Sequence, residues 1–315
     1  MKKLLIWLIL LLMPCAAMAE LEAHFLDVGH GDCTILLCDG EAMIIDGGPA
    51  GSSDLVFTVL RDLGVTELKY AVATHPNTDH VGGLPSAFHA AQVQALYTPV
   101  TAYDGGRFQV LMDKAAEMNV PVIVPTAGEV LTLGGAEITV LSPMHAYADV
   151  NDMSIVLRVT YGNHAFLLCG DAGKTVEADL LAAGAALHAD VIRISHHGSD
   201  TASTVPFLTA VDARYAVISC SERYENPDPV IIDRLLGMDA IPLCTNVAGD
   251  VTIRSDGLTL QVETEVYYVG NRNSDIYHRM NCNSVKKMKE SNKHIVYSGE
   301  QAEHEGYRPC KNCSP

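Results

Sequence analysis

Positive charge, aromatic rings and long apolar runs are all scarce in this 315-residue chain. Only 21 Lys and Arg stand against 38 Asp and Glu, a formal net charge of −17. The imbalance is uneven: residues 20–265 carry 33 acidic against 11 basic side chains, whereas residues 266–315 carry 5 against 8. The large acidic part repels polyanions in bulk and the tail does not. Aromatic residues make up 6% of the chain, and the single tryptophan is Trp7. That argues against a tryptophan-lined cage of the kind that holds a quaternary ammonium group. After the first residues no apolar run reaches the ~20 residues a spanning helix needs. Internal repeats and low-complexity stretches are also missing, which excludes solenoid architectures.

The opening MKKLLIWLILLLMPCAAMAE has two lysines, a short apolar stretch over Leu4–Met13 and the small-residue triplet Ala17-Met18-Ala19. It reads as a secretory signal peptide over 1–19. Cys15 raises a lipoprotein alternative, which Pro14 disfavours. The expectation is a secreted or cell-envelope protein whose mature chain has no transmembrane domain. Eight cysteines follow. Five of them (Cys33, Cys38, Cys169, Cys220 and Cys244) sit in apolar, strand-like runs, where buried free thiols are expected in preference to disulfides.

Short β-type runs bounded by turn residues recur through the chain, from LEAHFLDVG, CTILLCDG and EAMIIDGG to VIRISHHG and RYAVISC. Helices are expected from Ser52 or Ser53 as cap, over LPSAFHAAQV, around Gln109–Met118, over VEADLLAAGAAL and near Pro229–Leu236. Two strand-rich halves, each interleaved with helices, predict two face-to-face sheets with helices outside. The pattern stops near residue 265. The expected organisation is therefore a large α/β domain over 20–265 and a small module over 266–315.

Acidic and histidine-bearing turns follow the strands: FLDVGHGD, MIIDGG, ATHPNTDH, VNDMS, LLCGDAG and RISHHGSD. Their order and motifs resemble those of metallo-β-lactamase-fold hydrolases, in particular the soluble hydrolase domain of the competence protein ComEC. The resemblance spans roughly residues 21–262 and implies an αβ/βα sandwich with one or two divalent metals, Zn or Mn, at the sheet edges. It places His75, Asn77 and Asn151 at one metal and Asp79, His80 and a histidine of the His196-His197 pair, with His197 favoured, at the second. Asp171 would bridge the two. Asp79, Asp171, His196 and His197 are the candidate catalytic residues, with Asp27, His30 and Asp46 as supporting groups around the ligands. Such a metal pair clamps a phosphodiester and supplies a nucleophile near neutral pH, so DNA or another phosphodiester is the expected substrate. Alternatives are an esterase, including a phosphocholine-type one, acting on envelope components, or a decayed binding protein.

Three departures from the family pattern matter. Asn77 replaces the usual His or Asp, and a neutral amide is a weaker donor. His30 replaces a glutamine, and Asn226 replaces a histidine before proline. His89, His145, His164 and His188 lie outside the motifs and are expected at the surface. Gly47-Gly48 and Gly82-Gly83 read as turns that let backbone approach the site.

In the tail, His278-x3-Cys282 and Cys310-x2-Cys313 form two close pairs separated by 27 residues. Four N/S ligands meet the tetrahedral demand of structural zinc, and about 50 residues need such a staple. A single disulfide with one thiol left over is the alternative. The stretch resembles the metal-binding module of the Ada DNA-repair protein. Its Arg279, Lys286, Lys287, Lys289 and Lys293 are equally readable as phosphate contacts or as solvated surface, as are Tyr277 and Tyr307 as base-stacking or packing groups.

Overall fold

The computed structural model describes residues 20–315 apart from 222, 225 and 281, so the expected signal peptide lies outside the described residues. The first sheet runs, edge to edge, through Leu260–Thr264, Val251–Ser255, Leu21–Phe25, Thr34–Cys38, Glu41–Ile45, Tyr70–Val72, Leu96–Tyr97 and Val122–Ile123. The second runs through Ile241–Cys244, Tyr215–Ile218, Val191–Arg193, His164–Leu168, Val156–Tyr161, Ala136–Ser142 and Val130–Leu133. Each sheet is antiparallel on one side and parallel on the other.

Strand periodicity builds the layers. Leu36, Met43 and Ile45 of the first sheet meet Ile138, Leu157, Val159, Phe166 and Leu168 of the second in the central core. The alternate residues Ile35 and Ile44 face outward onto helices Ser53–Asp62 and Gly106–Glu117. On the other side Leu167 and Ile192 face helices Lys174–Ala182, Val205–Val211 and Pro229–Leu236. The result is the αβ/βα sandwich of the metallo-β-lactamase fold, with a small four-stranded module after it.

Local departures from the expected elements have physical causes. Neither Ser52 nor Ser53 caps its helix: their hydroxyls donate to the carbonyls of Val28 and Ala50. LPSAFHAAQV yields only a 3-10 turn at Leu84–Ser86 and one helical turn at Ala87–Ala90, then a strand at Gln92–Val93. Pro85 in that 3-10 turn can donate no backbone hydrogen bond. His164 is half-buried, its Nδ1 2.7 Å from the Ser255 hydroxyl. The five strand-region cysteines are free thiols, four of them buried and Cys244 partly so.

The topology decides where chemistry can occur. Glu41–Ile45 and Tyr70–Val72 run parallel, as do His164–Leu168, Val191–Arg193 and Tyr215–Ile218. Parallel neighbours end at the same sheet edge, so the turns holding Asp46, residues 74–80, Asp171, residues 195–198 and residues 219–221 are gathered there. Backbone bonds lock them together: Gly47 N–H donates to His80 O at 2.7 Å, Gly83 N–H to Gly48 O at 2.9 Å, and Gly48 N–H to Asp32 O at 2.7 Å. A Cβ at Gly47 would strike the Leu84 backbone, and one at Gly83 the Gly47 carbonyl. The glycine pairs thus permit close backbone contact between two turns.

Candidate metal centre

His75, His80, Asp171 and His197 converge at this edge and are almost wholly buried. His80 Nε2 lies 3.3 Å and His197 Nε2 3.8 Å from Asp171 Oδ1, while His75 Nε2 lies 3.6 Å from Asp171 Oδ2. Asp79 Oδ2 faces His197 Nε2 at 3.4 Å and His30 Nε2 at 3.7 Å.

The outer nitrogen of each ring is already committed. His80 Nδ1 is 2.8 Å from Asp46 Oδ2, and Asp46 also accepts from the Thr74 amide at 2.8 Å and the Thr74 hydroxyl at 2.7 Å. His197 Nδ1 is 3.1 Å from Ser219 O. His75 Nδ1 is near the Thr74 and Ser154 hydroxyls at 3.2 and 3.4 Å. These bonds orient the rings so that each Nε2 points inward, the nitrogen that would face a metal.

The backbone also serves the site. Asp46, His196 and His197 all have left-handed φ, at 58°, 51° and 54°, a conformation costing about 1–2 kcal/mol per non-glycine residue. Two consecutive strained histidines aim one ring into the cluster and leave the other at its rim. His197 is buried; His196 is half-buried, with Nδ1 2.8 Å from the Thr201 hydroxyl and Nε2 4.0 Å from Asp171.

Electrostatics prepare the donors. Burial opposes charge on Asp171, but His80, His197 and His75 hold it well below the usual carboxylate range. Burial likewise opposes charge on Asp79, yet His197 and His80 bring it down to about 2. Burial, then His80, lowers His75 to about 4 and keeps it neutral. His80 is the exception: burial would lower it, but Asp171 and Asp46 raise it well above its ordinary value. A divalent ion at His80 would displace that proton.

Other predicted residues are placed differently. Asn77 starts the short helix Thr78–Val81 but does not cap it; its amide donates to Asn151 Oδ1 at 2.8 Å. Positions 77 and 151 therefore meet beside His75 as two neutral amides satisfying each other. Asp27, expected as a turn former or supporting group, shapes its turn: its carboxylate accepts from Gly29 N–H at 3.1 Å and its amide donates to Asp250. Sequence reasoning missed Arg193. It is buried and ion-paired with Asp32, which sits 3.2 Å from His197 Nδ1. Asp32 approaches the outer sides of His80 and His197, whereas the Nε2 atoms point to Asp171, so Asp32 supports the rings. The signal was an arginine inside the apolar strand VIRIS.

The donor set fits a metal. His75 Nε2, His80 Nε2, His197 Nε2 and Asp171 Oδ1 are all buried without a hydrogen-bond partner among the described residues. Orphans of this kind cost about 1–3 kcal/mol each; a cation at His80, His197 and Asp171 would satisfy three of them, and His75 faces the neighbouring position. In the tail, donor atoms of His278, Cys282, Cys310 and Cys313 lie within 4.8 Å of one another, and His278 Nδ1 is likewise orphaned.

Fold and donors together define a metal-dependent hydrolase. A family profile described as "Metallo-beta-lactamase superfamily" matches residues 26–222, and one described as "Metal binding domain of Ada" matches residues 262–315. The chain belongs to the metallo-β-lactamase superfamily and carries an Ada-like metal-binding domain. It is similar to ComE operon protein 3 of Bacillus subtilis, at 24% identity over 267 residues, 78% of this chain and 34% of that protein. It is also similar to the competence protein ComA of Neisseria gonorrhoeae, at 26% identity over 71% of this chain and 30% of that one. Recombination protein 2 of Haemophilus influenzae shares 26% identity over 76% of this chain and 30% of its own length. The chain thus spans about a third of the length of these relatives. Among solved structures, a mutant of the β-hydroxylase CmlA shares the fold, with TM-score 0.52 and 13% identity over 75% of this chain and 54% of that one. No helix among the described residues is long and apolar enough to cross a membrane.

Proposed function

We propose that the protein is an exported, metal-dependent phosphodiesterase acting on DNA, with one tightly held ion in the hydrolase site and one structural zinc in the tail. The observation that carries the metal site is the inward convergence of four orphaned donors, His75 Nε2, His80 Nε2, His197 Nε2 and Asp171 Oδ1. DNA is supported by the competence relatives, and export by the composition of residues 1–19. His80, His197 and Asp171 would hold the principal ion, with Asp79 beside it. His75, Asn77 and Asn151 frame a second position weakened by the amide pair. When bound at His80, His197 and Asp171, a divalent ion would supply Lewis-acid stabilisation of the phosphate and a nucleophile at neutral pH. Asp79, anionic and partly open to solvent, orients that nucleophile. His196, at the rim, carries a proton to or from the leaving oxygen.

The test is metal content and cleavage of plasmid and single-stranded DNA by residues 20–315, with Mn²⁺, Mg²⁺ or Zn²⁺ added. His80→Ala should abolish cleavage and keep the tail zinc; Cys310→Ala should lose about one zinc. A wild type that carries only the tail zinc and leaves DNA intact with every metal rules the reading out.

A further inference from the structure

Beside the metal cluster lies a cavity of about 610 Å³, lined by His30, Pro49, Asp79, Ser221, Arg223 and Tyr224, among others. Its volume is within the range of about 300–1,000 Å³ typical of small-molecule sites. Three rings run outward from the cluster, and the outer two, His30 and Tyr224, line the cavity. His30 packs on His197 at 4.2 Å between ring centroids and on Tyr224 at 4.0 Å, tilted 30°. Tyr224 is backed by His30 yet 48% exposed, so much of its ring stays open. The Arg223 guanidinium lies 5.9 Å from the Tyr224 centroid and, among the described residues, is the only Lys or Arg lining the cavity. Ser221 Oγ and His30 Nδ1 are buried without a partner among the described residues. The backed ring and the cation beside it match two parts of one nucleotide, a π-face and a phosphate.

We propose that this cavity is a nucleobase subsite for single-stranded nucleic acid, with one base extending the His197–His30–Tyr224 stack and Arg223 on its phosphate. The proposal rests on the phosphodiesterase reading above. A base inside a duplex is already stacked and cannot reach Tyr224, so the site selects single strands, frayed ends or flipped nucleotides. With residues 20–265 so acidic, a single phosphate contact and a stacked base suit the protein better than a long electrostatic track.

The test compares binding of a fluorescein-labelled, phosphorothioate-linked thymidine pentamer with that of its abasic counterpart to the full described chain, by anisotropy. The wild type should prefer the base-bearing strand about tenfold. Tyr224→Ala should erase that preference and Tyr224→Phe restore it. Arg223→Ala should weaken both strands alike and lower the log–log salt slope by about 0.7. Equal binding of the two strands by the wild type, or a preference that survives Tyr224→Ala, overturns the subsite. A wild type that shows the Tyr224-dependent preference but hydrolyses no phosphodiester keeps the subsite and sinks the phosphodiesterase reading. Hydrolysis without base preference does the reverse.

Discussion

Asp46→Asn is the sharpest probe of how the buried carboxylates set up the metal donors. Asp46 Oδ1 accepts from the Thr74 amide, and Oδ2 faces both the Thr74 hydroxyl and His80 Nδ1. In the asparagine the remaining oxygen stays on the Thr74 amide, so the NH2 group faces His80 Nδ1. Two donors cannot meet, and the imidazole proton moves to Nε2, the nitrogen that points to Asp171. Support groups of this kind are worth about 10–100-fold in metal affinity, or about 1.4–2.7 kcal/mol. Asp46→Ala is less informative, because it strands three buried donors at about 1–3 kcal/mol each and unsettles the fold. The assay is competition against a chromophoric chelator at neutral pH, with the His278/Cys282/Cys310/Cys313 site as internal reference. Asp46→Asn should weaken one class of site 10–100-fold and leave the tail's class unchanged, and excess metal should restore turnover. Hydrolase-site affinity within threefold of wild type, or equal weakening of both classes, would refute the reasoning.

Three further outcomes are expected. Arg193→Met leaves Asp32 buried and unpaired beside His197, so urea denaturation should show a loss of about 3–5 kcal/mol; adding Asp32→Asn should recover most of it, and a loss below about 1 kcal/mol would contradict the buried pair. Asn77→Asp replaces the donating amide with a carboxylate, to which Asn151 can donate once its own amide turns over, so bound metal at the hydrolase site should rise from one ion toward two; calorimetric titration with unchanged stoichiometry would show that the amide pair is not what limits the second position. Tyr297, in the tail, packs against the central core, and burial, then Tyr215, raises its hydroxyl from 10.0 to about 12. Below pH 10 both folded and unfolded forms are neutral there; from pH 10 to 12 only the unfolded chain ionises, so stability falls across that window. Tyr297→Phe should lose less stability over the same range, and identical alkaline profiles for the two proteins would count against this contact.

What could be read from the chain alone follows the range of the interactions. Strands and helices governed by neighbours a few residues apart emerged cleanly: Pro229–Leu236 has Pro229 in its first turn and Asp228 accepting from the Val230 amide, both visible as local chemistry. Gly106–Glu117 has no side-chain cap, and it starts three residues before the expected boundary. The candidate site was legible because its residues sit on turns just after strands, and parallel strands deliver such turns to one edge. The partnerships inside the site were not. Asn77 and Asn151 are 74 residues apart, and nothing near either shows that the two amides would satisfy each other. Asp27 and Asp32 share one motif, yet one closes a turn while the other answers Arg193 from a different sheet. That pairing is a consequence of the sandwich. The acidic turn follows a strand of one layer, the arginine ends a strand of the other, and their charges meet beneath the histidines because the two layers are packed face to face. Charge placement across the layers, more than any single motif, therefore separates a donor set that can hold a metal from a turn that merely contains histidine.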